Sequence, residues 1–144
     1  TETMLLYCGA VHPLYGAQHP ALDWDSLRSY PFAGLGYHSP NMELSHRAEL
    51  TRTATGFDQE SIATLILSGR FLGFLPDHYA EAFERTGRMQ AVQPAQFRYA
   101  CQFVSVLRRS PAPARAVQTF AHCLAQAHSA TKVGCGLRGD QGAM

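Results

Sequence analysis

The chain has 144 residues, of which 46% are hydrophobic, and this is enough to bury the core of one domain or of two small lobes. Its 12 basic and 11 acidic residues give a formal net charge of +1. The chain therefore lacks the positive field with which a protein holds nucleic acid or an anionic membrane, and this argues against both functions for this segment alone.

The cysteines favour a reducing compartment. Cys8, Cys101, Cys123 and Cys135 are widely scattered and include no CxxC pair, as expected for reduced thiols rather than for a secreted disulfide framework. No apolar run approaches the length of a membrane span, and the first residues lack the positive region of a signal peptide. We therefore predict a cytoplasmic protein.

The first half of the chain alternates between strands and a short helix. Thr3–Cys8 reads as a strand, and a long loop without periodicity follows it. Asp23 can cap a short helix, which ends before the strand Phe32–Gly36. A polar loop, Tyr37–Pro40, comes next.

The run from Thr51 to Pro76 predicts a strand, a helix and a second strand. β-branched residues favour an extended segment after Thr51, Asp58 can act as N-cap, and Gly69 can end the helix in the left-handed conformation. Phe71–Leu75 is an apolar run suited to a buried parallel strand. A right-handed crossover would place the helix start and the second strand end at one edge, where open α/β folds bind ligands.

The second half repeats the alternation. Asp77 is predicted to cap a helix that stops at Gly87, and Tyr99–Leu107 reads as a strand. Pro111 and Pro113 then open an amphipathic helix. We interpret this last strand and helix as a separate unit. From Ser129 onward the chain has no repeating apolar face and is predicted to be a mobile tail.

Several segments, in their order, resemble the effector-binding domain of LysR-type transcriptional regulators. They cover roughly residues 3 to 128, and the most specific of them is the helix, Ser-Gly turn and GFLP strand ending. The segments are Cys8-Gly9 with His12-Pro13-Leu14, SLRSYPFAGLGY, ATLILSGRFLGFLPDHYAE and FVSVLRRSPAPARAVQTFAHCL. The resemblance implies a periplasmic-binding-protein-like fold, with two α/β lobes around a cleft. This chain would then form one such lobe, with a mainly parallel sheet flanked by helices, plus part of a second lobe.

The resemblance also implies a domain organisation. Residues 1–94 would form the second lobe with its entering crossover strand, and residues 95–128 would return to the first lobe. Residues 129–144 would be a flexible tail. Much of the first lobe would then be missing, as would the winged helix-turn-helix with which the family binds promoter DNA.

The candidate ligand-binding residues follow two predicted strand ends. Phe57, Gln59 and Ser61 lie at a helix start, where amides and the helix dipole favour a carboxylate. Tyr37, His38 and Ser39 follow the strand Phe32–Gly36 and could line the same edge. Simple helix capping and an ordinary solvated loop are the competing interpretations.

Catalysis and metal binding find little support in the sequence. The seven histidines and four cysteines do not cluster at ligand spacing, and no GxSxG element surrounds Ser61 or Ser68. We therefore predict no cofactor, no metal and no enzymatic activity.

The leading hypothesis is a partial effector-sensing and oligomerisation domain of a bacterial LysR-type regulator. The effector would be a small molecule, with an anion favoured by the helix amides but opposed by Asp58 and Glu60. The chain is expected to form a homo-oligomer and to reach DNA only through another module. The alternative is a solute-binding transport receptor of the same fold, against which the absent signal peptide and the cysteine pattern argue.

Overall fold

The computed structural model describes residues 1–16, 22–37 and 47–133, with side chains described as far as Ser129. These residues form a β-sheet flanked by helices, and the α/β class predicted from the sequence is confirmed. The strands are β1 (Glu2–Gly9), β2 (Phe32–Leu35), β3 (Arg52–Gly56), β4 (Leu72–Pro76), β5 (Met89–Ala91) and β6 (Arg98–Cys101). The described helices are α1 (Trp24–Leu27), α2 (Gln59–Leu67), α3 (Asp77–Arg85) and α4 (Arg115–Val133).

The sheet is mixed around a parallel core. Its strand order is β3-β2-β4-β1-β5, with β6 also paired to β1. The central strand of the core, β2, runs parallel to both β3 and β4. Strand β1 is antiparallel to β4, β5 and β6. The parallel part therefore ends at β4, and β1 joins it to the antiparallel part.

The predicted strand-helix-strand unit is confirmed as β3, α2 and β4. Both strands belong to one sheet, with β2 between them. Asp58 caps α2 by accepting a hydrogen bond from the Ser61 amide at 2.7 Å. Gly69 follows the helix with a φ of +73°, the left-handed conformation predicted for it. The right-handedness of this crossover stays a prediction.

The sheet buries an apolar core on each face, because successive strand residues point to opposite sides. Helices α2 and α3 cover one face, where Ile62, Ile66 and Ala80 pack with Tyr7 and Leu75. The other face is covered by α1 and by the loops around it. The fully or nearly buried residues on that side include Met4, Leu6, Cys8, Leu14, Leu27, Phe32, Leu72, Phe74 and Phe97.

Two short elements differ from the sequence-based expectations. Helix α3 has Pro76 as its N-cap, and Asp77 is its first residue, so the predicted capping role of Asp77 is wrong. The Asp77 carboxylate instead accepts from the amide of the next residue, His78, at 2.7 Å. Strand β5 was not predicted. It has only three residues, and it is defined by pairing with β1 rather than by its own pattern.

The predicted strand Tyr99–Leu107 is much shorter in the structure. Strand β6 covers Arg98–Cys101, and no regular structure follows until α4. Pairing stops because Cys101 lies opposite Glu2, which is the first residue of β1. An alternating apolar pattern alone cannot form a strand without a partner.

The chain divides into two compact units. The first is Thr1–Phe103 and the second is Val104–Met144, whereas the sequence predicts a boundary after Pro94. Strand β6 is part of the sheet of the first unit. In the second unit, α4 extends beyond Ser129 to Val133, into the range for which a tail is predicted. The flexibility of that range and the assignment to lobes stay predictions.

Gly9 allows the end of β1 to approach the end of α2. A Cβ atom added at Gly9 would lie 2.3 Å from the Ile66 carbonyl oxygen and 3.2 Å from the Gly69 nitrogen. Both atoms belong to the backbone, so no side-chain rotation can relieve the overlap. The contact between the two segments therefore requires glycine at this position.

We predict that Gly9→Ala destabilises the chain by about 3 kcal/mol, because the backbone of one segment must move. The matched control is Gly16→Ala, at a residue with a φ of +69° and open space where a Cβ atom would lie. The control should cost only the left-handed conformation, about 1 kcal/mol. Urea unfolding followed by fluorescence of Trp24, which packs against Phe97, measures both. Equal costs for the two variants would contradict this interpretation.

Candidate functional site

The carboxyl ends of the parallel strands form the candidate site. Strands β2, β3 and β4 end at Leu35, Gly56 and Pro76, and parallel strands end at the same edge of a sheet. Helices α2 and α3 begin at this edge, directly after β3 and β4. The edge therefore joins strand ends to helix starts, which is the usual ligand-binding position in open α/β sheets.

Two exposed aromatic residues lie at this edge. The Gly36 amide donates to the Gly56 carbonyl oxygen at 2.8 Å and joins the two segments. The Phe57 ring lies against Gly36, since a Cβ atom there would be 2.6 Å from Phe57 Cε1. Phe57 is 72% exposed and Tyr37, next to Gly36, is 51% exposed. The structure thus brings together two of the residues that the sequence predicts for the site.

Ser61 is occupied by helix capping. Asp58 Oδ1 accepts hydrogen bonds from both the amide and the hydroxyl of Ser61. These bonds hold the pKa of the Asp58 carboxyl below its usual value of 3.8. The Ser61 amide therefore already has an acceptor, as the competing interpretation of simple helix capping expects. The amides of Gln59 and Glu60 have no acceptor in the described part of the chain.

Gln59 carries a buried acceptor without a partner. Its Oε1 atom is inaccessible to solvent and makes no hydrogen bond with the described residues. A buried polar atom of this kind is unfavourable, because it has lost water without gaining a protein partner. A ligand donor would supply the missing bond once a rotation of the Gln59 side chain exposes this oxygen, which solvent does not reach in the present rotamer.

Two tyrosines that the sequence analysis did not assign to the site also lie at this edge. Burial raises the pKa of the Tyr79 hydroxyl, and the nearby carboxylates of Glu60 and Asp58 raise it further. Burial is also the main cause that raises the pKa of Tyr99, with smaller contributions from Cys101, Glu2 and Tyr37. Both phenols therefore remain protonated at neutral pH. The signal for Tyr79 was its position in the first turn of the helix that follows a strand end.

Arg52 is a further residue that sequence reasoning missed. Its methylene carbons pass over Gly34, and its guanidinium group donates to the Leu35 carbonyl oxygen at 2.9 Å, near the end of β2. Nothing in the local sequence indicates that a residue at the start of β3 reaches the end of β2.

Acidic groups surround the rest of the edge. Asp58 and Glu60 flank the start of α2, and Asp77 begins α3. The His78 ring lies 3.4 Å from a Glu2 oxygen and 3.6 Å from an Asp77 oxygen. The potential at the edge is therefore uneven, with negative groups at the helix starts and Arg52 beside β2.

The remaining predicted site residues, His38 and Ser39, lie outside the described residues. In the described ranges, no group of three or more histidine, cysteine or acidic residues could hold a metal ion. Within the same ranges no helix is long and apolar enough to cross a membrane.

A groove lies at the opposite edge of the sheet. It has a volume of about 360 Å³ and lies where β2 and β4 begin. The residues that line it are His12, Pro13, Tyr30, Pro31, Ser68, Gly69 and Arg70. The sequence analysis did not assign a binding site to this edge, and the groove is separate from the candidate site.

Comparison with known proteins identifies the family. The family described as LysR substrate binding domain matches residues 1–129. The HTH-type transcriptional activator BauR of Pseudomonas aeruginosa is 29% identical over 124 residues, which are 86% of this chain and 41% of BauR. The full-length structure of HypT from Salmonella typhimurium, a hypochlorite-specific LysR-type transcriptional regulator, superposes with a TM-score of 0.58 at 15% identity. That alignment covers 90% of this chain and 44% of HypT.

The fold and the family match define a regulatory domain. The chain belongs to the LysR substrate-binding domain family, and it spans less than half the length of these relatives. Domains of this family bind small-molecule effectors, and full-length regulators bind DNA. They are regulatory rather than catalytic, so the prediction of a non-enzymatic protein is confirmed.

The Asp58 cap should make stability depend on pH. Because the folded pKa of Asp58 is below 3.8, its contribution is present above that pH and is lost as the pH falls through the folded pKa. Asp58→Asn keeps a capping side chain but cannot titrate. We therefore expect the unfolding free energy of this variant to fall less steeply below pH 3.8 than that of the wild type. Urea unfolding at a series of acidic pH values measures the difference.

The control for this measurement is Glu81→Gln, on the exposed face of α3. An Asp58→Asn profile that is as steep as the Glu81→Gln profile would contradict the assigned role of the cap.

Proposed function

We propose that this chain senses a small-molecule effector at the carboxyl edge of β2, β3 and β4, within a bacterial LysR-type transcriptional regulator of the cytoplasm. The observation that carries the proposal is the Gln59 side chain, whose buried oxygen lacks a donor at the start of α2. Exposed Tyr37 and Phe57 lie at the same edge and offer apolar surface to a ligand. His38 and Ser39 belong to the proposed site through their position after Tyr37.

The proposed effector is small and carries an anionic group beside a hydrogen-bond donor. The amides of Gln59 and Glu60 and the Arg52 guanidinium favour negative charge. The carboxylates of Asp58 and Glu60 oppose it, so the anionic group should lie on the side of β2. The donor group would pair with Gln59 Oε1, and Ser61 would act by holding the Asp58 cap in place.

Regulation would follow from a change in the arrangement of the two lobes. An effector that binds one arrangement more tightly than the other shifts the population toward it. In the proposed regulator, this shift would move DNA-binding modules that lie outside the matched domain. Effector binding and promoter binding would then be coupled, so each can be measured through the other.

The first test is a pair of substitutions in the full-length regulator. A panel of carboxylates and their neutral amide analogues, screened by thermal shift, would identify an effector. Gln59→Ala should weaken its binding about fivefold, as expected for the loss of one buried hydrogen bond. Tyr37→Ala should weaken binding through lost apolar contact. Isothermal titration measures affinity, and promoter binding with and without effector measures the response.

Gln96→Ala, at an exposed glutamine far from α2 in the sequence, is the matched control and should bind normally. If Gln59→Ala and Tyr37→Ala fold and keep both the affinity and the promoter response of the wild type, the site is assigned to the wrong edge.

We further propose that the chain forms a homo-oligomer through its second unit and the segment that leads into it. Phe103, Val104 and Val106 are 70%, 83% and 87% exposed. In α4, Val117 and Phe120 are 42% and 68% exposed. Apolar side chains with such large exposed fractions favour association, because covering them removes them from water.

Light scattering over a range of micromolar concentrations tests this proposal. The molar mass of the 144-residue chain should rise with concentration, and Phe120→Gln should lower it at each concentration. His122→Gln, at an exposed residue of the same helix, is the control and should behave like the wild type. A constant monomer mass for the wild type would exclude self-association in this range.

A further inference from the structure

The groove at the opposite edge is built from three chain segments. His12 and Pro13 come from the turn after β1, Tyr30 and Pro31 precede β2, and the turn from Ser68 to Arg70 joins α2 to β4. Its volume of about 360 Å³ lies within the range of small-molecule sites. It is remote from the effector site proposed above, because the two lie at opposite ends of the parallel strands.

Hydrogen bonds hold these segments in place without a ligand. In the turn after β1, the His12 amide donates to the Gly9 carbonyl at 2.9 Å. The Leu72 amide donates to the Pro31 carbonyl at 2.9 Å and fixes the start of β4 beside that of β2. The close approach of Gly9 to the end of α2 joins the first and third segments. The groove is therefore a preformed feature, which lowers the entropic cost of filling it.

His12 lines this groove and carries a side-chain hydrogen-bond donor. Its Nδ1 atom accepts from the Leu14 amide at 3.1 Å, so the hydrogen of the neutral ring is on Nε2. Burial lowers the pKa of His12 below 6.5, which keeps the ring neutral at physiological pH. The residue is 4% exposed, and Nε2 makes no hydrogen bond with the described residues. The hydrogen bond from the Leu14 amide accounts for the role of Nδ1. The Nε2 donor has no acceptor among the described residues.

Arg70 supplies a positive charge at the groove. It is exposed and makes no ion pair in the part of the chain that the structure describes. The negative end of the α2 dipole would oppose an anion here, but most of its carbonyls are already occupied. Ser68 donates from its amide to the Thr64 carbonyl and from its hydroxyl to the Leu65 carbonyl, and Gly69 donates to the Ile66 carbonyl.

Side chains that contain rings line much of the groove. Pro13 and Pro31 line it, and the half-buried Tyr30 ring lies 5.4 Å from the His12 ring. A flat apolar group can pack against such surfaces, while an extended aliphatic or strongly hydrated ligand would leave them partly exposed. The groove therefore combines proline and aromatic rings with one neutral hydrogen-bond donor and one cation.

We propose that this groove binds a small aromatic carboxylate, with its ring against Tyr30 and the prolines and its carboxylate between His12 Nε2 and the Arg70 guanidinium. A carboxylate accepts from both donors, and its charge complements that of arginine. This site is independent of the effector site at the opposite edge.

The test uses the 144-residue chain and phenylacetate as the probe, followed by amide NMR. Phenylacetate should bind with millimolar affinity and should shift the amides of Leu14, Gly69 and Arg70 in a saturable manner. Phenylacetamide, which is nearly isosteric but neutral, should bind more weakly. Arg70→Gln should weaken phenylacetate binding about threefold to tenfold, because one charge-assisted contact at an exposed site is lost.

Arg85→Gln, at an exposed arginine of α3 outside the groove, should leave phenylacetate binding unchanged. Tyr37→Ala should also leave it unchanged, which separates this proposal from the effector site. Absence of saturable shifts at Leu14, Gly69 and Arg70 would overturn the proposal. Equal binding of phenylacetamide, or equal loss in the two arginine variants, would also overturn it.

Discussion

The parallel pairing of β2 with both β3 and β4 is the constraint on which the rest of the structure depends. Because β2 lies between the two strands, α2 must carry the chain over it and return it to the edge where both strands begin. The helix has nine residues and spans about 13 Å. Helix α2 thus connects the two ends of the parallel strands: it begins at the end where β3 stops and finishes at the end where β4 starts.

Each end of α2 has a different chemical character as a consequence. Its first turn carries the free amides of Gln59 and Glu60 and the unpaired Gln59 Oε1 atom. The Asp58 cap and the exposed Phe57 ring directly precede this turn. Its last turn carries occupied carbonyls and is followed by Gly69, close to the turn after β1. The first end suits a ligand that needs backbone donors. At the other end, His12 and Arg70 carry side-chain donors.

The sequence predicts the part of the fold that local chemistry determines. Asp58, Gly69 and the apolar run before Pro76 each mark a junction, and the structure has the expected cap, left-handed turn and buried strand there. The strand after Tyr99 was overestimated and β5 was missed for one physical reason: strand length depends on pairing with β1. Asp77 was misassigned because Pro76 both ends a strand and caps a helix.

The candidate site could be predicted only in outline, from the positions of Tyr37 and Phe57 after strands of the parallel core. That Ser61 is occupied and Gln59 is not depends on which side chain turns inward at the helix start, and the spacing does not determine this. Arg52 and Tyr99 reach the edge through tertiary packing, so no local pattern marks them.

A crystal structure of the full-length regulator with its effector would decide whether the carboxyl edge of the parallel strands is the effector site. We expect an effector atom within hydrogen-bond distance of the Gln59 side chain or of the Gln59 and Glu60 amides, with Tyr37 or Phe57 in contact. An effector bound elsewhere, with Gln59 Oε1 still lacking a partner, would contradict this assignment.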